Sequence, residues 1–385
     1  MNGIWYYAIA FIVIWAIAFV LKDQLEKVGV EVSFPVLMWR TTKLRRLVDR
    51  IANRAPRFWK WFMNAGIVIS AFFMVFMAVL LLQSLTTITE VSSVSLVLPG
   101  VEVPGSPFFI PFFSGFIALI TVIIVHEFSH GILARVEKVD IKSMGLLLFA
   151  ILPGAFVEPD EDEVKELDRP ARMRIYVAGS MANLSLAVVA LIIMTLISSS
   201  VIPAVFHEDG VEITRLTDDG NAHDYLKTGM ILKSINNYTI GDADDYSSAV
   251  RSLTPNKTVS ILTDQGSYSF KLKSNPANHS LGYMGIQAKA HYLINDNYSN
   301  KFYSPYLWVL LDLPELFMWI FLLNFSIGTF NLLPMKPLDG GALFEDLISY
   351  VASDDTVKIA SQFMTYLMAI TIIVSLVYSF TGGLV

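Results

Sequence analysis

The sequence predicts a polytopic α-helical membrane protein of about six transmembrane helices, with a re-entrant β-like segment and an extracytoplasmic α+β domain. Of its 385 residues, 54% are hydrophobic and only 16% are charged, whereas ordinary globular domains carry about 25% charged residues. The charges are also segregated, and about 18 uncharged apolar residues can cross the hydrocarbon core as a helix. Six uncharged segments reach this length: residues 1–21, 61–89, 108–125, 175–206, 316–335 and 359–385.

The charge and cysteine content exclude several other classes of protein. A net charge of −6 argues against nucleic acid as the main partner. Because the chain has no cysteine, disulfides, iron–sulfur clusters and cysteine-type zinc sites are impossible. The first apolar segment lacks a basic leading region and a small-residue cleavage site, so we expect a retained helix rather than a signal peptide.

Basic residues set the expected orientation. Ten Lys and Arg residues lie within residues 22–64, which by the positive-inside rule places this segment in the cytoplasm and the N-terminus outside. We expect residues 1–64 to form the first transmembrane helix and a cytoplasmic basic segment, either a helix along the inner membrane surface or a solvated connector. Six spans then put both termini outside, with a second helix and an outer hairpin loop in residues 65–107 and a last transmembrane helix in residues 359–385.

One apolar segment is too short to span a membrane as a helix. Residues 143–157 are apolar, and Pro153-Gly154 interrupts them. Apolar stretches of this length are more often re-entrant, interfacial or buried, and their backbone must pack against protein or line a water-filled cavity. We predict a re-entrant β-like segment here, within a core of residues 108–206 that also holds the third and fourth spans.

Residues 207–291 form one long stretch with soluble character, on the outer side according to the count of spans. Turn residues and short apolar runs predict a strand at residues 210–216, a helix at residues 244–253 and a β-hairpin at residues 259–272. A segment of this size can hold a small hydrophobic core of its own.

The motif His126-Glu127-Phe128-Ser129-His130 carries the candidate chemistry. Two histidines four residues apart share one face of a helix and can bind one metal ion. Glu127 lies beside the first histidine, where it can take a proton from metal-bound water, as in the H-E-x-x-H zinc peptidases. An uncharged segment leads directly into the motif, and ionisable residues at membrane depth are costly and therefore functional by default.

Catalytic zinc typically holds three protein ligands, and the third candidate lies in residues 331–341. Pro334 and Pro337 break the helix there, while Gly340-Gly341 lets the backbone turn tightly. Asp339 therefore lies on a short, broken segment at the same expected membrane depth as the two histidines. We expect residues 303–350 to hold the fifth span and this third ligand.

This ordered set of motifs resembles the site-2 proteases, the family of intramembrane zinc metalloproteases. His126, Glu127 and His130 match its H-E-x-x-H motif, and Leu338-Asp339-Gly340 matches its L-D-G motif. The resemblance implies Zn²⁺ held by His126, His130 and Asp339, with Glu127 activating a water. It also implies hydrolysis within transmembrane helices of substrates already trimmed outside, in a prokaryotic cell membrane with the active site toward the cytoplasm.

Two further segments fit this resemblance. Residues 179–183, Gly-Ser-Met-Ala-Asn, are similar to the family's small-residue motif, with Ser180 where proline is common. Residues 207–291 resemble a PDZ domain, most clearly at residues 228–237, and PDZ domains bind extended peptides by adding a strand to a sheet edge. We expect this domain either to exclude substrates by size or to bind peptide, and the alternative is a passive β-rich insertion.

Asn183 is the remaining candidate for the catalytic machinery. Its amide lies within an uncharged tract, where an unpaired polar group is costly. It either hydrogen-bonds a neighbouring helix or steadies the substrate backbone or the oxyanion formed on attack. We therefore take Glu127 and Asn183 as the candidate catalytic residues.

Two other functions stay open beside a working intramembrane protease. A catalytically silent membrane scaffold could hold partners through the PDZ-like domain, although it would have no need of Glu127. A metal-ion transporter could use membrane-embedded His, Glu and Asp residues. However, transport predicts polar residues spread over several spans, whereas here they gather at one cytoplasmic depth.

Overall fold

The structure is a computed structural model that describes residues 4–41, 44–86, 98–103, 106, 109–276, 278–299, 302 and 304–381. The chain divides into two units, one formed by Met1–Met194 with Pro314–Val385 and the other by Thr195–Leu313. The helices are α1 (Ile4–Val20), α2 (Lys22–Lys27), α3 (Arg45–Arg54), α4 (Pro56–Gln83), α5 (Phe112–Val136), α6 (Glu161–Glu166), α7 (Arg169–Tyr176), α8 (Ala178–Leu196), α9 (Ile202–Val205), α10 (Ala243–Arg251), α11 (Asp296–Ser299), α12 (Ser304–Leu307), α13 (Leu313–Phe330), α14 (Asp339–Ile348) and α15 (Asp354–Thr381). The strands are β1 (Val30–Ser33), β2 (Val36–Arg40), β3 (Ile141–Phe149), β4 (Leu152–Pro159), β5 (Phe206–Leu216), β6 (Ile231–Ile235), β7 (Tyr238–Thr239), β8 (Thr258–Thr263), β9 (Gly266–Lys271), β10 (Lys273–Ser274), β11 (Gly282–Tyr283) and β12 (Ile286–Ile294).

Long apolar helices place the chain among the polytopic helical membrane proteins. The expected first span, α1, is an apolar helix of 17 residues. Helix α4 begins at Pro56, inside the predicted basic segment, because proline fits the first turn of a helix, where its missing N–H is not needed. The outer hairpin expected within residues 65–107 falls largely outside the described residues. Among the described residues, five helical segments are long and apolar enough to cross a membrane: Pro56–Gln83, Phe112–Val136, Ala178–Val205, Ser304–Phe330 and Asp354–Ser379.

A four-stranded antiparallel sheet in the first unit has the order β1-β2-β3-β4. The predicted β-like segment forms the hairpin β3–β4, in which Leu147 lies opposite Gly154. Strand β2, from the basic segment, flanks β3 and places Leu37 opposite Leu148. The expectation of a surface helix or a connector missed the β1–β2 hairpin, because strands of four and five residues leave only a weak alternation in the sequence. Strand β4 ends the sheet, so within the described chain it pairs on one side only.

A buried ion-pair cluster joins three helices at the C-terminal end of α5. The Glu137 carboxylate, only 4% exposed, accepts hydrogen bonds from Arg174 Nε at 2.7 Å and from Lys60 Nζ at 2.8 Å. Arg174 also donates from Nη1 to Asn64 Oδ1 at 3.0 Å. Because Arg174 lies on α7 and Lys60 on α4, one carboxylate fixes the end of α5 against both neighbours.

The second unit is built on a six-stranded sheet of order β12-β5-β6-β8-β9, with β7 on β6. Apolar side chains from the strands, such as Ile213, Leu232 and Ile261, form a buried core that Ala249 of α10 completes. The structure has strands and a helix at the predicted positions, as β5, α10 and the hairpin β8–β9. Strand β12 was not predicted, because its pairing partner β5 comes much earlier in the chain.

The buried cluster at the end of α5 generates a stability prediction. Glu137→Ala strands the nearly buried Arg174 guanidinium without its partner, and we expect a loss of about 3 kcal/mol in the free energy of unfolding. Glu161→Ala is the matched control, because the Glu161 side chain is 84% exposed and its ion pair with Lys165 is long, at 3.8 Å. The control should change stability by no more than about 0.5 kcal/mol. Unfolding of the purified chains in detergent measures both, and equal effects would show that the Glu137 cluster contributes nothing special.

Candidate active site

Helix α5 presents two histidines on one face, as the four-residue spacing predicts. His126 and His130 both turn their Nε2 atoms inward, and these atoms lie 3.2 Å apart. Both rings are largely buried. Their lone pairs therefore converge on one point beside the helix rather than on solvent.

Asp339 reaches the same point from the other end of the chain. It is the first residue of α14, directly after the turns that follow α13. The turns close because Gly340 N donates to Asn331 O at 2.8 Å, an approach so tight that a Cβ at Gly340 would overlap the Leu332 carbonyl. This returning chain places Asp339 Oδ2 at 3.1 Å from His126 Nε2 and 3.3 Å from His130 Nε2.

The three donor atoms fit a tetrahedral zinc ion. Zinc–ligand bonds to histidine and carboxylate are about 2.0–2.2 Å long, which sets ligand–ligand edges of about 3.3–3.6 Å in a tetrahedron. The observed edges are 3.1, 3.2 and 3.3 Å. Asp339 Oδ2 is buried and, despite these short distances, has no well-aligned hydrogen bond to any described residue. A cation shared by the three atoms would satisfy this oxygen, so the residues fit the metal that the sequence implies.

The chain before and within α8 orients both imidazoles. His130 Nδ1 lies 2.8 Å from the Ile175 carbonyl, which accepts the ring N–H and leaves Nε2 free as a ligand. His126 Nδ1 lies 3.3 Å from the side-chain amide of Asn183. Gly179 lies between these two contacts in the sequence, and its Cα packs directly against both rings. A Cβ there would be 2.5 Å from His130 Nε2 and 2.6 Å from His126 Cε1.

Glu127 lines a cleft of about 350 Å³ next to the metal-site residues. Its Oε2 accepts a hydrogen bond from the Val157 backbone N–H at 3.3 Å, which ties the side chain to β4. The cleft is lined by α5, the β3–β4 hairpin and the chain around α13 and α14, including His126, Gly154, Ala155, Asn331 and Asp339. A peptide and a water molecule could therefore meet Glu127 and the metal ligands in one place.

Four of the predicted site residues come together, and the fifth lies behind them. His126, Glu127 and Asp339 line the cleft, and His130 completes the ligand set. Asn183 is fully buried against His126 and is not among the residues that line the cleft. Sequence reasoning did not foresee the orienting carbonyl of Ile175, because a backbone group leaves no trace in residue type. Gly179 was noted only as one of several small residues, although two packed imidazoles demand glycine there.

These features define a metallopeptidase-like site in a helical membrane protein. The sequence profile of peptidase family M50 matches residues 114–375. The chain therefore belongs to peptidase family M50, which confirms the resemblance to the site-2 proteases.

Two similar proteins add context. An uncharacterised protein of Methanocaldococcus jannaschii is 31% identical over 234 residues, which are 60% of this chain and 56% of that protein. The chain thus spans little more than half the length of this relative. A PDZ domain of the SdrC-like protein from Listeria monocytogenes is 22% identical and covers 21% of this chain and 87% of its own, with a TM-score of 0.19.

The approach of Gly179 to both rings generates a prediction about metal binding. Gly179→Ala forces a methyl group into the two imidazoles, and we expect zinc affinity at least about 100-fold weaker. Gly66→Ala is the control, since its Cβ would meet only the flexible Met181 side chain, at 3.1 Å from Cγ. Zinc content and competition with a chelator measure both variants. Unchanged zinc binding in Gly179→Ala would contradict the close packing.

Proposed function

We propose that the protein is an intramembrane zinc metalloprotease that hydrolyses peptide bonds within or near transmembrane helices of other membrane proteins. The observation that carries this proposal is the triangle of His126, His130 and Asp339 donor atoms beside Glu127, in a cleft among apolar helices. Membership of family M50 supports a metallopeptidase.

In the proposed hydrolysis, three residues bind the metal ion and one residue transfers the proton. His126, His130 and Asp339 would hold the zinc ion, which when bound would lower the pKa of a water molecule and polarise the scissile carbonyl. Glu127 accepts the proton of the attacking water and delivers it to the leaving amide nitrogen. Because Oε2 already accepts the Val157 N–H, Oε1 is the oxygen that handles this proton. The apolar helices around the cleft limit competing water.

A membrane helix hides its carbonyls in internal hydrogen bonds, so it must unwind before it can be cut. Strand β4 offers the unwound segment a partner, because it is the end strand of its sheet and its residues Gly154 and Ala155 line the cleft. We propose that the substrate adds as a strand to β4, as peptides add to sheet edges in other proteins. The scissile bond then lies within reach of Glu127, which the same strand holds.

The second unit has the elements of a peptide-binding domain. The order of its strands and helix supports a PDZ-like domain, and its end strand β12 pairs on one side only within the described residues. We propose that this domain lies outside the cell, where it excludes substrates with bulky outer domains or binds their trimmed tails. The basic residues within residues 22–64 support this orientation, because the positive-inside rule places that segment in the cytoplasm.

The role of Glu127 generates the test of the main proposal. Glu127→Gln keeps the shape of the side chain and spares all three ligands, so we expect one zinc per chain and loss of proteolysis by at least about 100-fold. Zinc analysis and cleavage of a transmembrane peptide by the purified protein measure the two effects. Asp339→Asn, which removes a ligand charge, should instead lose zinc and activity together. Cleavage by the Glu127 variant at the normal rate would exclude the mechanism, and zinc transport into liposomes without proteolysis would favour a transporter.

The need to unwind the substrate generates a prediction about sequence preference. Replacing Leu-Leu by Asn-Gly next to the cut lowers helix stability by about 1–1.5 kcal/mol, so cleavage should be roughly tenfold faster. The same replacement near the far end of the peptide helix is the control and should change the rate little. Equal rates for all three peptides would contradict capture of an unwound strand.

A further inference from the structure

Each of the two metal-binding histidines uses its two ring nitrogens differently: Nε2 binds the metal and Nδ1 carries a proton. A neutral imidazole that binds zinc through Nε2 carries its proton on Nδ1 and must donate that N–H to an acceptor. His130 meets this need with the backbone carbonyl of Ile175, at 2.8 Å. His126 is also buried, and among the described residues no backbone carbonyl lies within hydrogen-bond distance of its Nδ1. The group that faces this atom is the side chain of Asn183.

The carboxamide of Asn183 can supply the acceptor that His126 Nδ1 needs. The Asn183 side chain, on α8, is fully buried, and its Nδ2 lies 3.3 Å from His126 Nδ1. Its Oδ1 has no hydrogen-bond partner within the part of the chain that the structure describes. If His126 Nδ1 carries a proton, two donors, Nδ1–H and the Asn183 Nδ2 amide, face each other, and the acceptor Oδ1 stays unpaired. The two ends of a carboxamide have nearly the same shape. A half-turn about the Cβ–Cγ bond therefore brings Oδ1 to Nδ1, where it accepts the ring N–H, and turns Nδ2 to the position that Oδ1 leaves.

Close packing around α8 confines the Asn183 side chain to the space beside His126. Gly328 of α13 approaches so closely that a Cβ there would lie 3.1 Å from Asn183 Cβ. One helical turn earlier, Gly179 packs against the imidazole rings themselves. The Asn183 amide is thereby confined behind His126, away from the residues that line the cleft.

We propose that Asn183 is a positioning residue that accepts the His126 Nδ1–H and fixes the ring in the form that binds metal through Nε2. This inference rests on the proposed zinc site. It gives a task at the metal site to the first role expected from the sequence, a hydrogen bond to a neighbouring helix, and it differs from the second, a contact with the substrate oxyanion. The short chain from Ile175 to Asn183 then supplies an acceptor to each histidine, one from the backbone and one from a side chain.

The test compares zinc affinity in variants of the full-length protein purified in detergent. Asn183→Leu removes the acceptor at similar size, and zinc should bind about 10–100-fold more weakly. Asn183→Asp keeps an acceptor oxygen and loses the N–H donor, so its zinc affinity should match or exceed that of the wild type. Competition with a chromophoric chelator gives the dissociation constants, and the visible spectrum of the Co²⁺-loaded protein reports the ligand geometry.

Asn324→Leu is the matched control. Asn324 is also a fully buried asparagine between helices, but its Nδ2 donates to Thr121 Oγ1 at 3.1 Å and to Ile320 O at 2.8 Å. Its loss should disturb helix packing to a similar degree and leave the zinc dissociation constant unchanged. A drop in zinc affinity of the same size in both leucine variants would overturn the proposal in favour of a general packing effect.

The remaining outcomes separate the two proposals. Asn183→Asp that binds zinc normally and cleaves peptide with unchanged kcat supports positioning, because an oxyanion contact would need the missing N–H. Asn183→Asp that binds zinc normally but loses kcat would overturn positioning in favour of that contact. Wild-type zinc affinity in Asn183→Leu would overturn the inference while leaving the proposed protease intact. A wild-type chain that binds no zinc would overturn both.

Discussion

The arrangement of the first unit depends on one unfavourable contact. Three electron-rich atoms, the potential metal ligands, lie within 3.3 Å of one another among apolar helices. A buried carboxylate is costly without a cation, and neutral imidazole nitrogens do not satisfy it when their lone pairs point toward it. The surrounding protein must therefore hold the three donor atoms in place. It does so with close backbone packing at Gly179 and Gly340, with the Ile175 carbonyl, and with the ion pairs that fix the end of α5.

This demand explains why small residues occur where the helices meet the site. At Gly179 the neighbours are the ligand rings, and at Gly328 the neighbour is the residue behind one of those rings. Larger side chains at either position would move a ligand rather than fill a gap. The small residues of α8 and α13 thus let the backbone come close to the two imidazole rings and to Asn183, which limits how far the histidines can rotate.

Much of the site could be predicted from the sequence because its signals are local. Four residues separate His126 from His130, so any helix places them on one face. Prolines and glycines flank Asp339, so the chain has to leave the helix there. The segment around Pro153-Gly154 is too short for a span, and the structure forms it into the hairpin β3–β4. Each of these inferences needs only a few neighbouring residues.

The remaining features depend on pairings between distant residues, which a single sequence does not encode in readable form. Strand β2 finds β3 more than a hundred residues away, and β12 finds β5 across the whole second unit. Asn183 was recognised as a costly polar group, but its partner could be named only once α8 was seen against α5. Glu137 likewise owes its burial to Arg174 and Lys60, on two other helices.

The hydrogen bond from the Val157 N–H to Glu127 would couple two steps of the proposed reaction, the docking of the peptide and the transfer of the proton. The strand that would receive a peptide on its open side also restrains the base that acts on that peptide. In the proposed reaction, a peptide that pairs with β4 would contact this restraint, whereas the backbone groups of an intact transmembrane helix are already paired and could not bind the strand. Glu127 would then act on extended segments and leave folded helices in the same membrane uncut.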